Sequence, residues 1–365
     1  MIAGDPEKRI VGGPLPLRRM VAPAIFVVAL FITVFTRQPQ QSARLQEWVV
    51  SGPTMGTTFT VKVVADDLDE AGRRRLAAKV REAVDDVDGA MSTYKPESEL
   101  SRFNRHGTEP FEASRELVEV MTEALAVARL SRGAFDITVG PLVDAWGFGP
   151  GPSAGWPSEE RLAKLMAVIG WEKLKIDSEQ GLLYKTRTDL RCDLSAIAKG
   201  YAVDRVASSL DGAGIRDYMV EIGGEVRTRG RNATRRVWRI GVERPDESGR
   251  EVRVAVALSD AAMATSGDYR NFRELDGDRV SHTIDPRTGH PVTHELASVS
   301  VISQSCMRAD ALATALDVLG PDEGWALAEE AELAALFLVR TSDGGFDEFR
   351  TPMWAELTQS AEEIE

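Results

Sequence analysis

Apolar and polar residues alternate along Phe59-Thr60-Val61-Lys62-Val63, and that period of two predicts a half-buried strand after the turn-like Pro53-Thr54-Met55-Gly56. Leu76, Val80, Val84 and Val87 recur at helical spacing. The stretch Met91-Ser92-Thr93-Tyr94-Lys95-Pro96, with Ser98, Ser101 and Asn104 after it, reads as a loop or short turn because of Pro96 and its hydroxyl-rich composition. Ser114 caps a predicted helix with Leu117, Met121, Leu125 and Ala128 inward and Gly133 as its stop. Ser158 opens another, with Leu162, Leu165, Met166 and Ile169 inward, ending at Gly170. Leu174-Lys175-Ile176 and Leu182-Leu183-Tyr184 read as a hairpin. The run 191–201 reads as a buried strand end turning into a helix whose inward stripe is Tyr201, Ala202, Val206 and Leu210. Further strands are expected at 218–222, 238–242, 252–258, 298–302 and 336–339, with Val252, Val254, Val256 and Leu258 sharing one face. Strands and helices do not alternate regularly, and no Gly-x-Gly-x-x-Gly opens a helix. The class is therefore α+β, with mixed sheets and helices, and not a doubly wound dinucleotide fold.

One segment departs from this pattern. Residues 20–36, MVAPAIFVVALFITVFT, carry no charge and follow Arg18-Arg19. About 17 residues is the lower edge of a membrane-spanning helix. Lys8, Arg9, Arg18 and Arg19 place positive charge on its N-terminal side, which orients that side to the cytoplasm and the long folded part outside. An uncleaved anchor is expected, with a cleavable signal peptide as the rival; Ser42-Ala43 is a poor cleavage region. The chain thus divides into a cytoplasmic segment 1–19, an anchor 20–36, a Gln-rich linker 37–47, a catalytic domain 48–352 and a tail 353–365.

Net charge changes the picture of partners. At −13, the chain lacks the basic footprint of a nucleic-acid binder, so any phosphate must be held by local features. The two cysteines, Cys192 and Cys306, form no Cys-x-x-Cys or zinc-like cluster. They are either two buried thiols or one disulfide.

Three stretches carry candidate chemistry. Asp193, Ser195 and Lys199 lie within seven residues at a predicted helix start, where a carboxylate, freed N–H groups and a lysine suit a metal-bound phosphate; an N-capped helix with a surface lysine is the plainer alternative. His282 lies in a loop closed by Asp285-Pro286, where it either binds phosphate or moves a proton, or is structural. Asp310 and Thr314, four apart, share one helix face among apolar neighbours. An inward acid and hydroxyl need a partner, and a hard cation such as Mg²⁺ takes such oxygens. The alternative has Asp310 as an N-cap and Thr314 bonding back to a carbonyl.

Taken in order, Met55-Gly56-Thr57, Ser92-Thr93-Tyr94 with Asn104, Ala134-Phe135-Asp136 with Thr138-Val139-Gly140-Pro141, Asp193-Leu194-Ser195 with Lys199-Gly200-Tyr201-Ala202, Gly223-Gly224, Thr265-Ser266-Gly267-Asp268-Tyr269, His282-Thr283-Ile284-Asp285-Pro286 and Asp310-Ala311-Leu312-Ala313-Thr314 resemble the ApbE family of FAD:protein FMN transferases. The resemblance spans roughly residues 50 to 340; each run alone is weak and the ordered set is specific. It implies FAD contacts at Met55, Tyr94, Ala134, Phe135, Asp136, Asp193, Lys199 and Ile284, and Mg²⁺ held by Asp310, Thr314 and the backbone carbonyl of Ala196. It further implies a catalytic role for His282 beside the pyrophosphate. The implied reaction is Mg²⁺-dependent transfer of FMN from FAD to a threonine hydroxyl of a partner, with AMP leaving. The implied acceptor is a protein of a membrane redox complex with a Ser/Thr-Gly-Ala-Thr-like segment, and the implied location is the inner membrane, with the catalytic domain in the periplasm. Two alternatives share the pocket: an FAD pyrophosphatase and a non-catalytic flavin carrier. The chain departs from many family members in having no lipid-acceptor cysteine, in Ala313 where some have a second Asp, and in Lys199 where some have an acid.

Overall fold

The alternation at 59–63 becomes a strand whose two faces do different work. In the computed structural model, which describes residues 45–66, 68–150, 155–245, 252–267, 272–275 and 278–363, β1 (Gln46–Thr54) and β2 (Thr57–Ala65) form a hairpin. The helices α1 (Glu70–Met91), α2 (Glu99–Arg105), α3 (Arg115–Leu130), α4 (Gly140–Ala145) and α5 (Glu159–Met166) follow, with the short β3 (Phe111–Glu112) among them. Next come β4 (Leu174–Asp177), β5 (Leu182–Lys185), α6 (Ala198–Gly212), β6 (Asp217–Ile222), β7 (Glu225–Arg229), β8 (Trp238–Glu243), β9 (Val252–Leu258) and β10 (Ala262–Gly267). The chain closes with β11 (Phe272–Leu275), β12 (Asp278–Ser281), β13 (Leu296–Ser303), α7 (Cys306–Glu330), β14 (Ala334–Arg340), β15 (Phe346–Arg350) and α8 (Pro352–Glu363).

An eight-stranded antiparallel sheet runs in the order β1-β2-β6-β7-β10-β13-β14-β15. The β2–β6 register pairs Phe59 with Ile222, Val61 with Val220 and Val63 with Tyr218. All six are buried. They join one core with the apolar stripes of α1, α6 and α7, which pack in succession, α7 against β10 and β13. The intervening residues Thr58, Thr60, Met219 and Glu221 turn the other way and line a cavity. A one-residue slip would put the six apolar side chains into that cavity, so burial fixes the register. Smaller sheets order as β3-β5-β4, β8-β9 and β11-β12.

The α+β class holds, and Ser114 and Ser158 cap their helices through Leu117 and Arg161 N–H. Several local expectations change. The hydroxyl-rich run after Tyr94 contains α2, because Ser98 accepts from Ser101 N–H and Leu100 and Phe103 are buried. Residues 191–193 form no strand: Asn104 takes both backbone groups of Cys192, N–H to Oδ1 at 2.7 Å and Nδ2 to carbonyl at 2.8 Å. A side chain thus does the work of a neighbouring strand. Ser195 does not cap α6, which begins at Ala198 after Ile197 without a side-chain cap; instead the Ser195 N–H donates to Asp193 Oδ1 at 2.8 Å. Both cysteines are free and buried. The segment read as a tail carries α8, whose Trp354 is buried, and β1 begins within the segment read as a linker. The expected anchor, 20–36, lies outside the described residues; among those described, no helix is long and apolar enough to cross a membrane.

Candidate active site

Small residues let backbone and helices meet around the cavity. A Cβ on Gly200 would lie 2.3 Å from the Cys306 carbonyl oxygen and 2.8 Å from Asp310 Cβ. Only glycine lets α6 approach α7 there, and the Gly200 N–H donates to Asp310 Oδ2 at 2.9 Å. A regular helical turn would aim that N–H at the Ala196 carbonyl; donation to Asp310 leaves that carbonyl without this helical donor, and Ala196 lines the cavity. Ser305 caps α7, so Asp310 is an interior helical residue and not an N-cap. One turn on, Thr314 Oγ1 lies 3.1 Å from Ser266 Oγ on β10.

Lys199 reaches both buried acids. Its Nζ is 2.9 Å from Glu225 Oε1 and 3.5 Å from Asp310 Oδ1. Burial opposes the lysine's charge, but Asp310 and Glu225 outweigh it and hold the pKa above the usual value. Burial pushes Glu225 above the usual carboxylate range, the ammonium of Lys199 draws it back toward its charged form, and Asp310 adds to the upward push.

Opposite this floor, the loops 134–140 and 190–196 are stitched together. The Asp193 N–H donates to the Ile137 carbonyl at 2.7 Å. Asp136 Oδ1 accepts from Thr138 N–H and Oγ1–H, both at 2.7 Å, and Oδ2 accepts from Trp171 N–H at 2.9 Å. Asp136 is buried, and burial raises its pKa despite these bonds.

The cavity holds about 660 Å³, within the range of small-molecule sites. Its lining brings together Ala134, Phe135, Asp136, Asp193, Ala196, Lys199, His282, Ile284, Asp310 and Thr314. Met55 and Tyr94 are not in the lining. Met55 sits in the β1–β2 turn at φ +46° and packs on the core. Tyr94 exposes most of its ring, while its hydroxyl donates to the Phe148 carbonyl at 3.1 Å. Local desolvation of that hydroxyl, then Asp193 and Asp144, raise the phenol's pKa. Phe148 in turn meets the His282 ring edge-on at 6.4 Å between centroids, so Tyr94 is linked to the cavity through Phe148. Residues 268 and 269 of the Thr265–Tyr269 run lie outside the described residues.

Glu225 and the β8 wall of the cavity went unread in the sequence. Glu225 follows the Gly223-Gly224 pair, and an acid opening a strand after two glycines was the available signal. The β8 wall, from Arg239 to Glu243, carries no such signal.

Among the described residues, no group of three or more His, Cys, Asp or Glu could hold a metal. The oxygens present are one carboxylate, one hydroxyl and one carbonyl. That set fits Mg²⁺, which commonly takes one or two carboxylates and completes its shell with water and phosphate.

A model described as the ApbE family matches residues 55–337. The chain is 43% identical over 322 residues to an FAD:protein FMN transferase of Vibrio cholerae, covering 88% of this chain and 94% of that protein. An Escherichia coli protein of the same description is 35% identical over 343 residues, with 92% and 97% covered. Among solved structures, the flavin transferase ApbE from Vibrio cholerae superposes with a TM-score of 0.78 at 41% identity, covering 86% of this chain and 99% of that one.

Proposed function

The chain belongs to the ApbE family and transfers FMN from FAD to a protein, and from that premise we propose how the cavity does so. FAD enters with its pyrophosphate over the floor formed by Lys199, Asp310 and Thr314. Its flavin and adenine ends contact Ala134, Phe135, Asp136, Asp193 and Ile284, with Met55 and Tyr94 joining from the rim. Asp310, Thr314 and the Ala196 carbonyl hold Mg²⁺, which when bound offsets the charge of the pyrophosphate oxygens.

A threonine hydroxyl of the acceptor forms a new bond to the FMN phosphorus. The bond from that phosphorus to the bridging oxygen breaks, and AMP leaves with the electron pair. His282 takes the hydroxyl proton, and Lys199 steadies the phosphate. The acceptor is a protein of a membrane redox complex presenting a Ser/Thr-Gly-Ala-Thr-like segment. Residues 20–36 anchor the chain in the inner membrane with its catalytic domain in the periplasm; a reporter fused after Glu365 that works only outside the cytoplasm should be active, and a working cytoplasmic reporter there would refute the placement.

The observation that carries this reading is the convergence of Asp310, Thr314, Lys199 and His282 on one cavity. Incubation with FAD, Mg²⁺ and a domain bearing such a segment should give in-gel flavin fluorescence and FMN mass on threonine. Rapid conversion of FAD to free FMN and AMP, unchanged by any acceptor, would instead make it a pyrophosphatase.

A further inference from the structure

We propose that Glu225 is a positioning residue: by drawing the Lys199 ammonium to itself at 2.9 Å, it holds the ion pair of Lys199 with Asp310 at its long distance of 3.5 Å and so leaves Asp310 open to a divalent cation. The inference rests on Asp310 being the cation's carboxylate.

Glu225 is only 3% exposed. Lys199 satisfies Oε1 at 2.9 Å, but Oε2 is buried without a hydrogen-bond partner. A half-satisfied buried carboxylate is costly, and a neutral or apolar side chain of similar size would pack there without that cost. What the carboxylate supplies is charge next to Lys199.

The geometry shows which way that charge pulls. Asp310 is held toward Lys199, because the Gly200 N–H fixes its Oδ2 at 2.9 Å across a helix contact that only glycine is small enough to allow. Oδ1 is thus presented to any cation in the floor. Lys199 nevertheless stops 3.5 Å short of it, beyond a good hydrogen bond, and sits 2.9 Å from Glu225. Its route there is open because residue 223 is glycine: a Cβ at Gly223 would lie 3.2 Å from Lys199 Cδ and 2.9 Å from Thr57 Cγ2. Remove the Glu225 charge and the lone carboxylate in reach is Asp310, to which a partly buried ammonium is strongly attracted. Lys199 would then compete with the cation for the same oxygen.

The test uses the full chain and Mn²⁺ alone as the probe, with affinity read by electron paramagnetic resonance of the free ion. Glu225→Gln should weaken Mn²⁺ binding by about tenfold, a coupling ordinary for groups in one ion-pair network. Lys199→Met alone should change it by less than about threefold, whereas in the Glu225→Gln background it should restore most of the loss. That non-additivity is the signature of competition by the lysine. Equal effects of Lys199→Met in both backgrounds would reduce Glu225 to plain background charge and overturn the proposal, as would unchanged binding by Glu225→Gln. Should Glu225→Gln fail to fold, the double variant Lys199→Met with Glu225→Met removes both charges together and should bind within about threefold of Lys199→Met. A tenfold loss there would also overturn it. Absence of Mn²⁺ binding by the wild-type chain would bring down the assignment of Asp310 first and this inference with it, whereas tight wild-type binding with additive variants sinks only the inference.

Discussion

Asp136 and Asp310 are both buried aspartates lining one cavity, 6% and 2% exposed, yet the two regions treat them in opposite ways. In the 134–140 loop, Asp136 is saturated: two N–H groups and a hydroxyl, all neutral donors, occupy both oxygens. At the α6–α7 crossing, Asp310 receives one backbone N–H and an ammonium held at 3.5 Å. The first carboxylate is consumed in shaping the wall; the second is pre-oriented and left with capacity. A carboxylate's place in a site is therefore told by what its oxygens still lack, and the residue type and depth of burial do not decide it.

Three substitutions test the contrast. The largest effect is expected at Asp310→Asn. The amide oxygen can keep the Gly200 bond, so the melting temperature should move by no more than about 3 °C. Transfer activity should fall by more than about a hundredfold, beyond what outer-shell changes cost at metal sites. Near wild-type turnover at limiting Mg²⁺ would erase the distinction. Asp136→Ala should do the reverse: stability drops by about 2–3 kcal/mol in denaturant titration as three donors lose their acceptor, and FMN transfer under strongly native conditions falls less than in Asp310→Asn. A variant as stable as wild type would show that the loop does not depend on its acid. The smallest effect is a slope. Because burial raises the pKa of Asp136 in the folded chain, the folded state binds more protons above the ordinary Asp value of about 4, and stability falls as pH climbs from there through the raised value. Asp136→Asn should flatten that part of the melting temperature against pH; an unaltered profile would mean the carboxyl titrates normally.

Much of this was legible in the sequence because it depends on local rules. Period-two alternation gave β2, serine caps gave α3 and α5, and the spacing of Asp310 and Thr314 put both on one face of α7. What escaped depends on distant partners. Asn104 looked like a loop polar residue, yet it holds Cys192, 88 positions away. Ser195 had the right chemistry for a cap, but Asp193 takes its N–H first. Glu225 follows the Gly223-Gly224 turn, a local signal, but its pairing depends on α6 bringing Lys199 to it, which no sequence neighbour forecasts.

The two free thiols fall one in each of the contrasted regions. Cys192 adjoins Asp193 beside the stitched loops, and Cys306 supplies the carbonyl that presses on Gly200 at the helix crossing. Burial pushes both thiols well above their ordinary pKa, so neither is a ready nucleophile while its surroundings stay closed. With no disulfide to form, the catalytic unit reaches this arrangement without an oxidant, and an oxidising compartment finds no exposed sulfur among these two to attack. The pair also serves as a native stopwatch. A thiol reagent can mark Cys192 only when the wall opens and Cys306 only when the helices part, so the two labelling rates time the opening of each region separately.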